Sequence, residues 1–298
     1  MAYHSGFAAI IGRPNVGKST LLNRLVGQKV AIMSDKPQTT RNRILAVVTG
    51  ADHQVVFIDT PGIHKPKHRL GEMMVRVAAR TLTEVDVVLH VVEATAPVGE
   101  SDRAIAGQLK EAGTPAILAV NKLDLVTKDH LLAAVATYSQ LHDYTEVVPI
   151  SATTGANLDA LMGCIRPLLP EGPQYYPDDT VSDQPEAQLL AELVREKILN
   201  LTRDEVPHSV AVVVEEMQER PDGLVYVKAN VFVERDSQRG ILIGQSGRML
   251  KEIGKQAREE AEALLGSRLY LDLWVKVKKD WRDREDLLRQ MGYRPEET

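Results

Sequence analysis

The sequence has 298 residues, 44% of them hydrophobic and 26% charged, with a formal net charge of −5. That length exceeds what one hydrophobic core usually organises and predicts two domains, while the composition excludes a disordered, collagen-like or disulfide-rich chain. A lone cysteine, Cys164, excludes an internal disulfide and points to a reducing cytoplasm, and Asp86 and His90 break the most apolar run far short of the roughly 18 to 20 residues that a bilayer-spanning helix needs.

The first apolar run, 7–11, has no basic residue before it and leads into a glycine-rich turn, so no signal peptide is expected. Strand-like runs follow at 44–48, 55–58, 87–92, 116–120 and 147–150, with helix-like stretches between them. The second and third are separated only by Gly50-Ala51-Asp52, which predicts one antiparallel hairpin in an otherwise parallel sheet. The pattern is α/β, a doubly wound, mostly parallel sheet over residues 1–172. Residues 173–185 carry Pro173, Pro177 and Pro185 with three aspartates and read as a semi-rigid linker. Residues 186–298 form a smaller α+β domain that opens with a helix at 186–201 and alternating strands at 209–215 and 224–234. An apolar segment at 240–243 then leads to Gly244-Gln245-Ser246-Gly247, an amphipathic helix at 248–265, a strand at 269–277 and a terminal helix from Asp280.

Gly12-Arg13-Pro14-Asn15-Val16-Gly17-Lys18-Ser19 matches the GxxxxGK[ST] phosphate-binding pattern, and it sits between an apolar strand and a helical stretch opening at Thr20. The glycines let backbone N–H groups wrap a phosphate, and the pattern predicts that Lys18 reaches the β and γ phosphates while the Ser19 hydroxyl holds Mg²⁺. Asp59-Thr60-Pro61-Gly62 follows the third strand, which places the Asp59 carboxylate for the same metal and the Gly62 N–H for the γ-phosphate. Asn121-Lys122-Leu123-Asp124 follows the fifth strand. The Asp124 carboxylate can accept both the N1–H and the 2-amino hydrogens of guanine, donors that adenine lacks in that place, so the predicted nucleotide is GTP or GDP. Ser151-Ala152 after the sixth strand is expected to bring backbone N–H groups to guanine O6.

In this order, these elements resemble the translation-factor-related GTPase class. Lys36-Pro37-Gln38-Thr39-Thr40-Arg41, the run Asp59 to Pro66 and Tyr175-Tyr176-Pro177-Asp178 extend the likeness over the whole chain to the Era family of bacterial ribosome-assembly GTPases. The resemblance implies that Thr40 closes over Mg²⁺ and the γ-phosphate, making Lys18, Thr40 and Gly62 the catalytic set and Ser19, Thr40 and Asp59 the metal set. It also implies GTP hydrolysis in the service of small-subunit maturation. Ile63 stands where Ras-like GTPases carry a water-orienting glutamine, so turnover must draw on other groups. Potassium held with the help of Asn15 is one expectation. Arg41 and Arg43 read as solvated or switch-contact residues rather than a built-in arginine finger. His64 and His68 lack further ligands nearby and read as loop residues rather than a zinc pair.

Charge divides unevenly: residues 173–298 hold 19 Lys/Arg against 25 Asp/Glu, yet 234–258 hold six bases against three acids. Within that island, Gly240 to Arg248 resembles the approach and GxxG turn of a type II KH domain, which clamps a short run of RNA backbone. Arg239, Ile243, Gly244, Gln245, Ser246, Gly247, Arg248, Lys251 and Lys255 are the RNA-facing residues this implies, in a monomer whose partner is small-subunit ribosomal RNA near its 3′ end. KH loops usually carry a base between the glycines, and here stand Gln245 and Ser246. With 13 aromatics in the chain, a stacking platform is not expected, and Trp274 and Trp281 read as core or subdomain contacts. Two rival readings are an RNA chaperone with a structural nucleotide and a membrane-peripheral GTPase touching anionic lipid through the second basic island, 276–284.

Overall fold

The computed structural model describes residues 2–63, 66 and 68–293. They cluster into two compact units, the first within 1–31, 40–67 and 71–183, the second within 32–39, 68–70 and 184–298. The first strand-rich half supplies β1 (His4–Ile11), α1 (Lys18–Val26), β2 (Ile44–Thr49), β3 (His53–Asp59), α2 (Arg69–Thr81), β4 (Val87–Glu93), α3 (Glu100–Ala112), β5 (Ala116–Asn121), α4 (Lys128–Ser139), β6 (Glu146–Pro149) and α5 (Leu158–Ile165). The strands form one sheet in the order β2-β3-β1-β4-β5-β6, parallel throughout except for the β2–β3 hairpin.

The central strands are apolar on both sides because helices cover both faces. Ala8 and Ile10 face Leu21 and Leu22 of α1 and Leu161 and Ile165 of α5, whereas Ala9 and Ile11 face Ala78 of α2 and Ile105 and Leu109 of α3. Cys164 is partly buried against the first of these layers.

Residues 173–183 belong to this unit rather than hanging free of it. The Val47 N–H of edge strand β2 donates to Val181 O at 2.9 Å, and Ser182 Oγ donates to Leu45 O at 2.7 Å, which occupies an otherwise open sheet edge. The fully buried Gln54 amide donates to Tyr176 O at 2.9 Å and accepts from Tyr175 and Tyr176 N–H at 2.8 and 2.9 Å. Tyr175 stacks on Phe7 with centroids 5.4 Å apart.

The second unit contains α6 (Glu186–Leu201), α7 (Val206–Ser209), β7 (Ala211–Glu219), β8 (Leu224–Val233), α8 (Asp236–Ile243), α9 (Arg248–Leu265), β9 (Arg268–Val277) and α10 (Glu285–Gln290). Its sheet runs β7-β8-β9, with β7 antiparallel and β9 parallel to β8. Val194 and Ile198 of α6 and Ile253 and Ala257 of α9 bury one face of it against Ala229, Val231 and Val233.

Two expectations fail here. The terminal helix starts at Glu285, because 281–283 form a 3₁₀ turn that seats Trp281 in the core, its Nε1–H donating to Ser209 O at 2.8 Å. Of the two readings of Trp274, the core one fails, since it is 53% exposed. It alternates with the inward Leu273 and Val275 and so lies on the sheet face that these helices leave uncovered.

Gln54→Ala removes the partner of two part-buried N–H donors and one carbonyl. Urea unfolding is expected to show the first unit destabilised by about 2–4 kcal/mol, and an unchanged midpoint would contradict the anchoring role.

Candidate nucleotide-binding site and RNA-facing turn

The ends of β1, β3, β4, β5 and β6 lie together at one end of the sheet, where parallel strands place ligands. The loop after β1 has Asn15 at φ +67° and Gly17 at φ +100°, positive-φ positions of the kind that turn successive N–H groups toward a common centre. At Gly12, φ is +154° and any Cβ would strike the Val91 carbonyl of β4; at Gly17 it would strike the Asn121 amide. Only glycine therefore allows the loop to lie this close to the sheet.

Lys18 opens α1 and is buried, its Nζ donating to Gly12 O at 3.1 Å and Arg13 O at 3.0 Å. Burial pulls its pKa down to about 8, against the opposing pull of Asp59. Asp59, at the end of β3, is fully buried. Ser19 Oγ donates to its Oδ2 at 2.7 Å and Thr40 Oγ1 at 3.3 Å, while the two hydroxyls lie 2.9 Å apart. Desolvation raises the carboxyl pKa, and Lys18 with both hydroxyls pulls it back. Its other oxygen, Oδ1, is buried with no hydrogen-bond partner. An orphaned carboxylate oxygen beside two hydroxyls is an all-oxygen donor set of the kind that suits a hard cation such as Mg²⁺. Gly62 packs on the phosphate loop so closely that a Cβ would come within 2.9 Å of Pro14 N. Thr20 is half-buried in the first turn of α1.

Asn121 ends β5. Its Nδ2 donates to Val16 O at 2.8 Å and its Oδ1 accepts from Ala152 N–H at 2.9 Å, so one buried amide joins the phosphate loop, the NKLD loop and the loop after β6. Asp124 is exposed in the 3₁₀ turn at 123–125, which Leu123 N–H fixes by donating to Ile150 O at 3.1 Å.

Several expected roles change. The Ala152 N–H is engaged by Asn121, and the Ser151 N–H donates to Ala156 O at 3.1 Å, so neither is directed at a base in this geometry. The Ser151 hydroxyl accepts from Thr154 N–H at 3.1 Å as a local turn cap. Arg13 contributes backbone only: its guanidinium is drawn to Glu93 at 2.8 Å and to Asp102 at 3.7 Å. Of the two readings of Arg41, the solvated one fails at 2% exposure, and Arg43 pairs with Glu84 at 3.0 Å. His64 lies outside the described residues. Sequence reading passed over Glu93, which pairs in register with Asn121 across β4 and β5, because a carboxylate at a strand end resembles any turn-former.

In the second unit, α8 and α9 flank the 244–247 turn. Gly244 has φ +70° and ψ 177°, a region open essentially to glycine alone, and a Cβ there would meet Met249 Cβ at 2.7 Å. Gly247 N–H closes the turn on Gly244 O at 3.2 Å, with Ser246 at φ +54°. Gln245, Ser246, Arg248, Lys251, Lys255 and Arg239 are exposed and Ile243 is half-buried. Arg248, Lys251 and Lys255, spaced three and four residues apart, share one stripe of α9, whereas Ile253, Ala257 and Ala261 form its buried stripe.

Comparison with known proteins agrees with this geometry. Residues 7–122 match the family described as 50S ribosome-binding GTPase, and residues 205–282 match the KH domain. GTPase Era of Heliobacterium modesticaldum is 57% identical over 289 residues, 97% of each chain. A crystal structure of a variant of Aquifex aeolicus Era bound to GDP and AlF4− is 43% identical with a TM-score of 0.93, covering 97% of this chain and 99% of that one. A structure of Era in complex with MgGDPNP and nucleotides 1506–1542 of 16S ribosomal RNA gives 43% identity and a TM-score of 0.94, covering 98% and 99%.

Lys18 titrates near 8 in the free protein, and a bound polyphosphate would favour its charged form, so binding above that pH must take up a proton. GDP affinity measured by calorimetry is expected to fall about threefold to fourfold from pH 7 to pH 8.5, and the slope to vanish in Lys18→Met.

Proposed function

The chain belongs to the Era family of GTPases, and we propose from that premise that it is a GTP-hydrolysing switch that binds small-subunit ribosomal RNA near its 3′ end during subunit maturation. The observation that carries the enzymatic half is the meeting of Ser19, Thr40 and Asp59 oxygens beside the buried Lys18, within reach of the phosphate loop. The RNA half rests on the glycine-only turn at Gly244 with the Arg248, Lys251 and Lys255 stripe beside it, and on the relative that was crystallised with 16S rRNA. The name of the family matching 7–122 mentions the 50S particle, but that match excludes the domain that meets RNA, so the full-length relative weighs more.

Ser19, Thr40 and Asp59 would hold Mg²⁺, whose chemistry there is to neutralise charge between the β and γ phosphates. Lys18 brings a cation to the same oxygens without the cost of displacing bulk water, since its shell is already protein. Gly62 fits against Pro14 because it lacks a side chain, which lets its backbone approach the γ-phosphate. Thr40 ties the segment after 39 to Asp59 and makes its position responsive to what occupies the site. Asp124 presents an exposed carboxylate to the two donors of guanine.

Ile63 leaves no side-chain amide to orient water, so the proposal includes a potassium ion near Asn15. A cytoplasmic setting completes it, with peripheral membrane contact as the weaker reading. Three of the five bases at 276–284 are matched by acids: Lys276 pairs with Glu215, Arg282 with Glu234 and Arg284 with Asp286. A neutralised patch gives little attraction to anionic lipid. The chaperone reading would use the same Ser19, Thr40 and Asp59 oxygens for a nucleotide that is never turned over, and multiple-turnover phosphate release, abolished in Lys18→Ala, separates the two.

An asparagine at 124 presents one donor and one acceptor, which suits xanthine rather than guanine. Asp124→Asn is expected to lose at least a hundredfold in kcat/KM for GTP and to gain turnover of xanthosine triphosphate; ATP turned over as well as GTP by the unaltered protein would sink the reading. Multiple-turnover phosphate release should be faster in potassium chloride than in sodium chloride at equal ionic strength, and equal rates would remove the potassium ion.

A further inference from the structure

We propose that Glu93 is a positioning residue for nucleotide binding, a single carboxylate that sets the distance between the loop that takes the phosphates and the loop that takes the base. The inference rests on the guanine-nucleotide reading above and assigns the site a residue outside its recognised motifs.

Glu93 is the last residue of β4, and its backbone pairs with Asn121 at the end of β5. One carboxylate oxygen accepts from Arg13 Nη2 at 2.8 Å, and the other accepts from Lys122 Nζ. Arg13 belongs to the phosphate loop and Lys122 to the base loop, so the two halves of the site are bridged through one side chain. Its side chain is only 17% exposed, so water competes weakly for either bond. Lys122 also holds φ at +66°, a left-handed conformation that a residue with a Cβ adopts only when its surroundings impose it. Anchoring of the ammonium to Glu93 is one such constraint. Asp102, fully buried at the start of α3 with its Oδ2 accepting from Gly99 N–H at 2.8 Å, flanks Arg13 on the far side. Arg13 and Lys122 are thus balanced by two carboxylates, and Lys18 is left as the cation facing the phosphates.

The consequence concerns ligands that touch both loops. A nucleoside diphosphate must find the two loops at a fixed spacing, and any freedom between them has to be removed on binding. Guanosine alone, or pyrophosphate alone, meets one loop and is indifferent to that spacing. Coulomb attraction gives the opposite sign: Glu93→Gln removes a negative charge near the phosphate loop, so electrostatics by itself would make every phosphate ligand bind more tightly.

Affinities of the full chain for GDP, guanosine and pyrophosphate, measured by NMR titration, separate the two. For Glu93→Gln, GDP affinity is expected to fall about tenfold, guanosine to stay within twofold, and pyrophosphate to stay the same or tighten. KM for GTP should rise by a similar factor while kcat changes little. Glu93→Asp, which keeps the charge on a shorter stem, should recover part of the loss. Arg13→Gln cuts one of the two bonds and should weaken GDP less than Glu93→Gln does, and the double variant should be no weaker than Glu93→Gln alone. GDP affinity that is unchanged or tighter in Glu93→Gln overturns the proposal. So does an equal loss for all three ligands, which would mean that the cradle has collapsed. If Glu93→Gln does not fold, additive losses in Arg13→Gln and Lys122→Gln overturn it. Failure of the underlying reading would look different, as an unaltered protein with no preference for GDP over ADP.

Discussion

A buried amide holds the nucleotide cradle together. Asn121 uses its NH₂ group on the phosphate loop and its carbonyl on the loop after β6, and both partners are backbone groups. Because the donor and acceptor of one amide lie about 2 Å apart, this bond pair fixes three loops within a narrow range of one another. Gly17 completes the constraint, since its missing side chain is what lets the phosphate loop approach the amide. Without this knot, the strand ends would still be adjacent, but the loops leaving them would have no common reference.

Inside that frame the site keeps charges under strain. Lys18 and Asp59 are both buried, each pushed by desolvation toward its neutral form, and each partly restrained by the other. They make no direct ion pair; Lys18 instead donates to loop carbonyls, and one oxygen of Asp59 has no hydrogen-bond partner. Buried polar groups left incompletely satisfied destabilise a fold unless a ligand completes them. Their persistence at the end of a well-packed sheet is the thermodynamic signature of a site shaped for a polyphosphate and its cation. The turn at Gly244 carries a constraint of another kind, a backbone conformation open only to a residue without a Cβ, which sets the turn against the exposed first residues of α9.

Much of this was legible beforehand because the chemistry is local. The phosphate loop, Asp59, NKLD and GxxG are short segments whose glycine, hydroxyl and carboxylate spacing limits what they can do, and the helices at 186–201 and 248–265 appear with the boundaries their periodicity implied. Failures came where a residue's role depends on a neighbour distant in sequence. Trp274 looked like core until the helices were seen to cover only the other face of its sheet. Arg13 sits within the motif yet turns to Glu93, eighty residues away, and Ala152 N–H turns to Asn121.

Residues 240–248 pointed to RNA only through their likeness to a KH turn, whereas the two-domain α/β and α+β plan, the order of strands and helices, and the choice of a guanine nucleotide were written in the chain itself. These follow from periodicity and from donor and acceptor chemistry carried within a few consecutive residues. Tertiary structure alone decided which N–H groups are already engaged, that residues 173–183 close a sheet edge, and that Glu93 bridges the two nucleotide loops. Hydrogen bonds act over about 3 Å, and only folding brings residues separated by tens of positions within that distance.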